Sequence, residues 1–245
     1  IYQSLGRYAT ALAAQQKAIA IFEQILAPNH PNIAQSYHNL ASIFYDQGQV
    51  DSAIDYENRA YVLWQGKLPR NHPYLEIVRE NFAFYYPKRA AVRKDTGAYQ
   101  LAIEDYERAL EFSQEKGELY NSIGLCYYYL NNYPVAIENY EKSYQLGGIN
   151  EAVYLNNTGV AYAKSGELAQ AAARFTQLEA LLPDNGLPYR DWGLYYVLKG
   201  DSDTALDQLE KAIQLGYDNW DWLRTEAALD PLRDHPRFKA LLAQA

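Results

Sequence analysis

Apolar residues recur along this chain at alternating spacings of three and four. In the stretch Tyr120 to Leu146, Tyr120, Ile123, Gly124 and Tyr127 stand at i, i+3, i+4 and i+7, and Ala136, Tyr140 and Ser143 follow at the same spacing after an Asn-rich break. Such spacing lays each set on one face of an α-helix, so the stretch predicts two amphipathic helices joined by a short turn. Gly124 and Ala136 fall where the two helices cross most closely and let backbone approach backbone. A hairpin of this kind cannot bury both apolar faces alone and needs a neighbour.

The sequence supplies several. A turn residue followed five positions later by alanine recurs as Gly6 with Ala11, Gly48 with Ala53, Gly97 with Ala102, Asn131 with Ala136, Gly166 with Ala171 and Gly200 with Ala205. Successive alanines are 42, 49, 34, 35 and 34 residues apart, which makes the chain six copies of one unit. Asn29-His30-Pro31 and Asn71-His72-Pro73 sit in the longer early units. Proline pushes its predecessor out of the α region and suits the first helical position, so His30 and His72 are predicted N-caps.

Three of these units are in register: Tyr120, Ile123-Gly124, Tyr127, Asn131, Ala136, Tyr140 and Ser143; then Leu155, Thr158-Gly159, Tyr162, Gly166, Ala171, Phe175 and Pro183; then Tyr189, Trp192-Gly193, Tyr196, Gly200, Ala205, Leu209 and Ala212. Together they resemble the tetratricopeptide-repeat family, and the first two units, with Ala34 to Ala41, resemble its kinesin-light-chain-like subclass of 42-residue period. The resemblance implies an all-α, right-handed α-α superhelix. Residues 1–86 read as kinesin-light-chain-like repeats, the first partial, 87–96 as an insertion, 97–216 as further repeats and 217–245 as C-terminal capping helices, in one continuous solenoid. Ile1 corresponds to about the tenth position of a unit, so residues upstream of it are expected in the native protein. The insertion carries Pro87 and a basic cluster of Lys88, Arg89, Arg93 and Lys94. It reads first as a helix lengthened by two turns with a solvated basic face, then as a protruding element for an acidic partner, then as a join between two arrays.

Composition narrows the functional classes. At 245 residues and 49% hydrophobic the chain can bury a large core, and it has no apolar run of membrane-spanning length. A net charge of −8 with no long basic run argues against a nucleic-acid partner. The single cysteine, Cys126, falls among apolar positions and reads as a core residue. No phosphate loop, dinucleotide fingerprint, nucleophile elbow or zinc-protease pair occurs. The acids Asp203 and Asp207 read as solvated charge, and the Asn156-Asn157-Thr158 glycosylation triplet lies inside a predicted helix. The expectation is therefore a protein that is no enzyme, uses no cofactor or metal and resides in the cytoplasm.

What remains is a surface. By the resemblance, the first helix of each unit lines a concave groove that holds a protein or peptide ligand. The groove positions chosen on this basis are His38, Asn39 and Tyr45, then Asn81 and Phe84, then Asn121 and Tyr128, then Asn156 and Asn157, and finally Arg190. Asparagine recurs in four successive units. Its amide both donates and accepts, so a ladder of asparagines can hold an extended peptide backbone while Tyr and Phe supply pockets. Asparagines at such positions also bond neighbouring helices, a role expected to account for one or two of the four. The lysine clamp of chaperone-tail binders is absent, since the clamp positions read His38, Glu80, Asn121, Asn156 and Arg190. A regulatory module of a larger signalling protein or enzyme, and self-association through exposed aromatic residues, are the alternatives.

Overall fold

In a computed structural model, which describes residues 8–244, every regular element is helical. Gly6 and Arg7 of the first turn motif lie outside the described residues. The chain divides into two compact bodies, residues 1–119 and 120–245. The N-terminal body contains α1 (Tyr8–Ile25), α2 (Pro31–Asp46), α3 (Val50–Gln65), α4 (Pro73–Asp95) and α5 (Tyr99–Phe112). Helix α6 (Gly117–Tyr129) begins at the division. It is followed by α7 (Tyr133–Gln145), α8 (Glu151–Ser165), α9 (Leu168–Leu181), α10 (Gly186–Lys199) and α11 (Ser202–Gln214). Helix α12 (Trp220–Thr225), a 3-10 turn (Ala227–Leu232) and α13 (Pro236–Leu242) complete the C-terminal body.

Each of the five repeats that lie wholly within the described residues is a helical hairpin whose turn is set by one left-handed residue. Gly48, Gly97, Gly166 and Gly200 have φ between 76° and 87°, and Asn131 takes the same role at φ 58°. Glycine reaches this region without a Cβ penalty and asparagine is the best tolerated substitute, which explains why the turn positions read Gly or Asn. His30 and His72 are N-caps, each accepting a hydrogen bond at Nδ1 from the backbone two residues on, at 3.2 Å. The third His-Pro does the same, His235 accepting from Arg237 N at 3.3 Å.

Within a hairpin the small residue of the first helix meets the large residue of the second. A methyl added at Gly124 would stand 2.8 Å from the Tyr140 ring, at Gly159 2.5 Å from Phe175, and at Gly193 2.6 Å from Leu209. Tyr140, Phe175 and Leu209 are essentially inaccessible, so these rings and branches have little room to give. In the N-terminal body the same second-helix position carries Tyr106 in α5 but Glu57 in α3, which is wholly buried.

The 87–96 region is helical as far as Asp95, because α4 continues through Pro87. Proline there removes one helix hydrogen bond, a cost of about 3 kcal/mol in an unsupported helix. Arg89 and Arg93 tie these last turns to the rest of the body. Arg89 forks onto Asp105 of α5 with Nε and Nη2 at 2.9 and 2.6 Å and reaches Asp51 with Nη1 at 3.0 Å. Arg93 approaches the same Asp105 at 2.9 Å. Asp105 is buried, so its charge is matched by two guanidinium groups rather than by water.

At the other end Leu223, Leu229, Leu232, Phe238 and Leu241 form one core with Val197, Ala205, Leu206 and Leu209, covering the last repeat. Arg237 fastens α13 to α11 through Glu210 and Asp207, the latter at 2.7 Å. Asp207 is thus an anchor for the cap, where the sequence pattern suggested only solvated charge.

Replacing Gly159 by alanine is expected to destabilise the protein by about 1–3 kcal/mol, the usual cost of overpacking a closed site. Urea unfolding followed by circular dichroism measures it, and an unchanged midpoint would mean that α8 and α9 can separate without cost.

Candidate functional site

The residues picked from the sequence fall into two groups, one per body. In the N-terminal body His38 Nδ1 lies 3.0 and 3.2 Å from the two oxygens of Glu57, and Asn81 Nδ2 donates to Glu57 Oε1 at 2.8 Å. The buried carboxylate therefore joins the first helices of successive repeats, α2 and α4. Asn39 is apart from this cluster and accepts from Gln35 on its own helix at 3.2 Å. Tyr45 stacks on Tyr85 at 4.8 Å between centroids and tilts against Phe84 at 5.4 Å. Burial foremost, and then the Glu57 charge, raise the Tyr85 hydroxyl well above the ordinary phenol range. Phe84 remains 50% exposed, with the Lys88 ammonium 5.5 Å from its ring centre. Tyr74 and Ile77 are also exposed, so Tyr74, Ile77, Asn81, Phe84 and Lys88 form one stripe along α4 at spacings of three and four.

In the C-terminal body the asparagines bond helix to helix. Asn157 Nδ2 donates to Asn121 Oδ1 at 3.2 Å, joining α8 to α6, and Asn156 Nδ2 donates to Asp191 Oδ2 at 2.7 Å, joining α8 to α10. The bridging role expected of one or two asparagines is thus held by Asn81, Asn121, Asn156 and Asn157 alike. Each spends one polar group on a neighbouring helix and keeps another for the surface. Thr158 of the glycosylation triplet is buried, and its hydroxyl donates to Tyr154 O at 2.7 Å.

Arg190 and Tyr128 border the same pocket as Asn156 and Asn157, and Trp222 of α12 forms its further wall. Trp222 packs against the core of Val160, Phe175 and Leu194, as does Ala228. Glu226, between α12 and the 3-10 turn, pairs with Lys164 at 2.6 Å. Burial chiefly, and Glu226 after it, raise the Tyr128 hydroxyl above the ordinary phenol range. The C-terminal segment therefore does more than cover the last repeat: it lies against the α8 and α10 faces that the sequence assigned to a groove.

Comparisons with known proteins bear on the fold that carries these residues. The tetratricopeptide-repeat family model matches residues 1–65, and a second model of the same description matches residues 117–146. Both stretches of the chain carry tetratricopeptide repeats. Among its relatives, Protein KINESIN LIGHT CHAIN-RELATED 3 of Arabidopsis thaliana is 24% identical over 230 residues, covering 87% of this chain and 34% of the relative. The Homo sapiens clustered mitochondria protein homolog is 28% identical over 113 residues, 46% of this chain and 8% of that protein. The chain thus spans about a third or less of these relatives. A tetratricopeptide repeat protein from Parabacteroides merdae superposes with a TM-score of 0.56 at 18% identity, covering 99% of this chain and 87% of its own. YrrB, described as a TPR protein with an unusual peptide-binding site, superposes with a TM-score of 0.53 at 21% identity, covering 88% and 99%. These likenesses establish the all-α helical-repeat fold. Among the described residues of this tetratricopeptide-repeat chain, no helix is long and apolar enough to cross a membrane.

Glu57, Asp191, Lys164, Trp222 and Glu226 were not singled out from the sequence. Glu57 had a signal: it stands four residues after Ala53, where the other second helices place Tyr106, Tyr140, Phe175 and Leu209. Asp191 is fully buried, and that burial pushes its pKa up to about 6 against the opposing pull of Arg190 and Asn156. A carboxyl that holds its proton more tightly when folded lends stability below its unfolded pKa, and this is lost as pH rises through the folded value. Asp191→Asn removes the titration. Relative to the variant, the natural protein is expected to lose about 2 kcal/mol between about pH 4.5 and pH 7, read from urea midpoints at each pH. A constant difference across that range would show that Asp191 titrates normally.

Proposed function

We propose that this chain is a non-catalytic module that holds an extended peptide or partner segment against the first-helix faces of its repeats. Tetratricopeptide-repeat proteins serve in general as protein-interaction scaffolds, which supports the broad class. The observation that carries the finer reading is the stripe on α4. Tyr74, Ile77 and Phe84 are 41%, 42% and 50% exposed on one helix face, with Asn81 among them. Large apolar groups lined up beside an amide suit a chain whose side chains enter apolar sites while its backbone meets polar groups. Lys88 at the end of the stripe adds one positive charge. YrrB, with the same fold, is described as having a peptide-binding site, which supports the reading by analogy.

In this reading His38, Asn39, Tyr45, Asn81 and Phe84 serve the N-terminal face, and Asn121, Tyr128, Asn156, Asn157 and Arg190 the C-terminal face. The bridging bonds make Asn81 and Asn157 poor single probes, since removing either disturbs a helix junction as well as a contact. Phe84 is the better probe because its ring is half exposed.

Peptides selected on the immobilised protein from a random display library provide the test. Phe84→Ala should weaken the selected peptides by roughly 10- to 30-fold in a fluorescence titration, the scale of an aromatic anchor. Leu101→Ala, an exposed change on α5, should leave them unaffected. Failure to select any peptide, or equal binding by Phe84→Ala, would defeat the reading.

A further inference from the structure

We propose that the pocket between Arg190 and Trp222 is a binding site for a carboxylate borne by a single side chain or a chain end. It has a volume of about 220 Å³, and Tyr128, Asn156, Asn157 and Val160 complete the part of its lining that matters here. Arg190 carries the argument. Its side chain is only 9% exposed, yet its Nε has no hydrogen-bond acceptor. No hydrogen bond from either terminal nitrogen joins it to another described residue. Asp191 Oδ1 stands 3.0 Å from Nε, but the N–H is not directed at it, and that oxygen is itself without a donor. The guanidinium is stacked instead, its carbon 4.6 Å from the Trp222 ring centre and 5.6 Å from that of Tyr217. Stacking uses the faces of the guanidinium plane and leaves its edge, where the N–H groups are.

Buried guanidinium groups in folded proteins are ordinarily hydrogen-bonded, and an edge without an acceptor in a pocket invites one from outside. A planar carboxylate matches the fork of that edge with two parallel bonds. Asn156 and Asn157 each give one N–H to a neighbouring helix, which leaves a second amide hydrogen for the same group. Tyr128 and Val160 supply apolar wall for the carbon atoms attached to it. Asp191 beside the Arg190 guanidinium offsets part of its charge, which opposes a doubly charged phosphate more than a singly charged carboxylate. One arginine closed over by a tryptophan of the C-terminal segment also differs from the lysine clamp, whose residues this sequence lacks.

This inference rests on the reading that the first-helix face receives a partner, but its test uses ligands too short to span that face. Acetyl-Ala-Leu, its C-terminal amide and acetyl-Ala-Glu-amide are titrated into the whole chain while the side-chain N–H resonances of Arg190 and Trp222 are followed. A saturable shift from one or both carboxylates, and none from the neutral amide, is expected. Response to acetyl-Ala-Leu alone assigns a chain end, and response to acetyl-Ala-Glu-amide alone assigns an acidic side chain. Arg190→Gln should weaken binding at least roughly tenfold, and Arg190→Lys, which keeps the charge without the fork, should restore only part of it. Circular dichroism melts confirm that each variant is folded, the lysine variant serving if the glutamine variant is not. Equal response to the neutral amide, no response to any of the three, or natural affinity in the lysine variant would overturn the proposal. Loss of these shifts with Phe84-dependent peptide binding intact would remove this site and leave the broader reading standing.

Discussion

A tandem array has no central core to share, so every junction between repeats must satisfy its own polar groups. At three junctions of this chain, within its two bodies, that constraint is met by one bond repeated with variations. The residue two before the small residue of a first helix bonds back to the residue three before it in the preceding repeat. Asn157 meets Asn121 in this way, and Asp191 meets Asn156. In the N-terminal body Asn81 and His38 occupy the same two positions and meet through Glu57. A buried amide or acid with a single suitable partner on the next helix specifies the register of the stack, which apolar packing alone specifies weakly.

The bond chain also explains the deviation inside α3. Where Tyr106, Tyr140, Phe175 and Leu209 fill the space beneath a first helix, Glu57 fills it with a carboxylate. An acid there would be costly if unpaired, at several kcal/mol for an uncompensated buried charge. With His38 and Asn81 aimed at it, the same position becomes a polar tie between α2 and α4. Asp105 follows the same logic on α5, where Arg89 and Arg93 converge on one buried carboxylate and tie the part of α4 beyond Pro87 to α5.

The hairpins, their turns and the His-Pro caps were legible in the sequence because each is a local device with a fixed spacing. The left-handed φ of Asn131 and the cap bonds of His30 and His72 need only the residues beside them. What periodicity could show of the asparagines was the face they occupy. Their partners lie a whole repeat away, and nothing in a spacing of three and four says whether an amide on that face points outward or to the next helix. The C-terminal segment was expected as a cap from the family resemblance alone, and Trp222 and Glu226 reach Arg190 and Lys164, contacts separated by tens of residues that no local pattern encodes.

The division of labour on the first-helix faces follows from magnitudes. A surface amide exchanging water for a peptide contributes a net 0.5–1.5 kcal/mol at best, about as much as its bond to the neighbouring helix. Fully burying an exposed phenylalanine contributes about 1.5–3 kcal/mol, of which the half-exposed Phe84 keeps about half, and Tyr74 and Ile77 add to it on the same face. In the N-terminal body the asparagine that bridges helices is therefore a fixed reference point that keeps the face in register, and Tyr74, Ile77 and Phe84 are the exposed apolar groups around it. The C-terminal body reverses the balance, because Trp222 already covers the apolar surface of Val160 and Leu194. There the unused groups are the edge of Arg190 and the free hydrogens of two amides. The two bodies thus carry the same repeat but present opposite chemistry, one apolar and open, the other polar and enclosed.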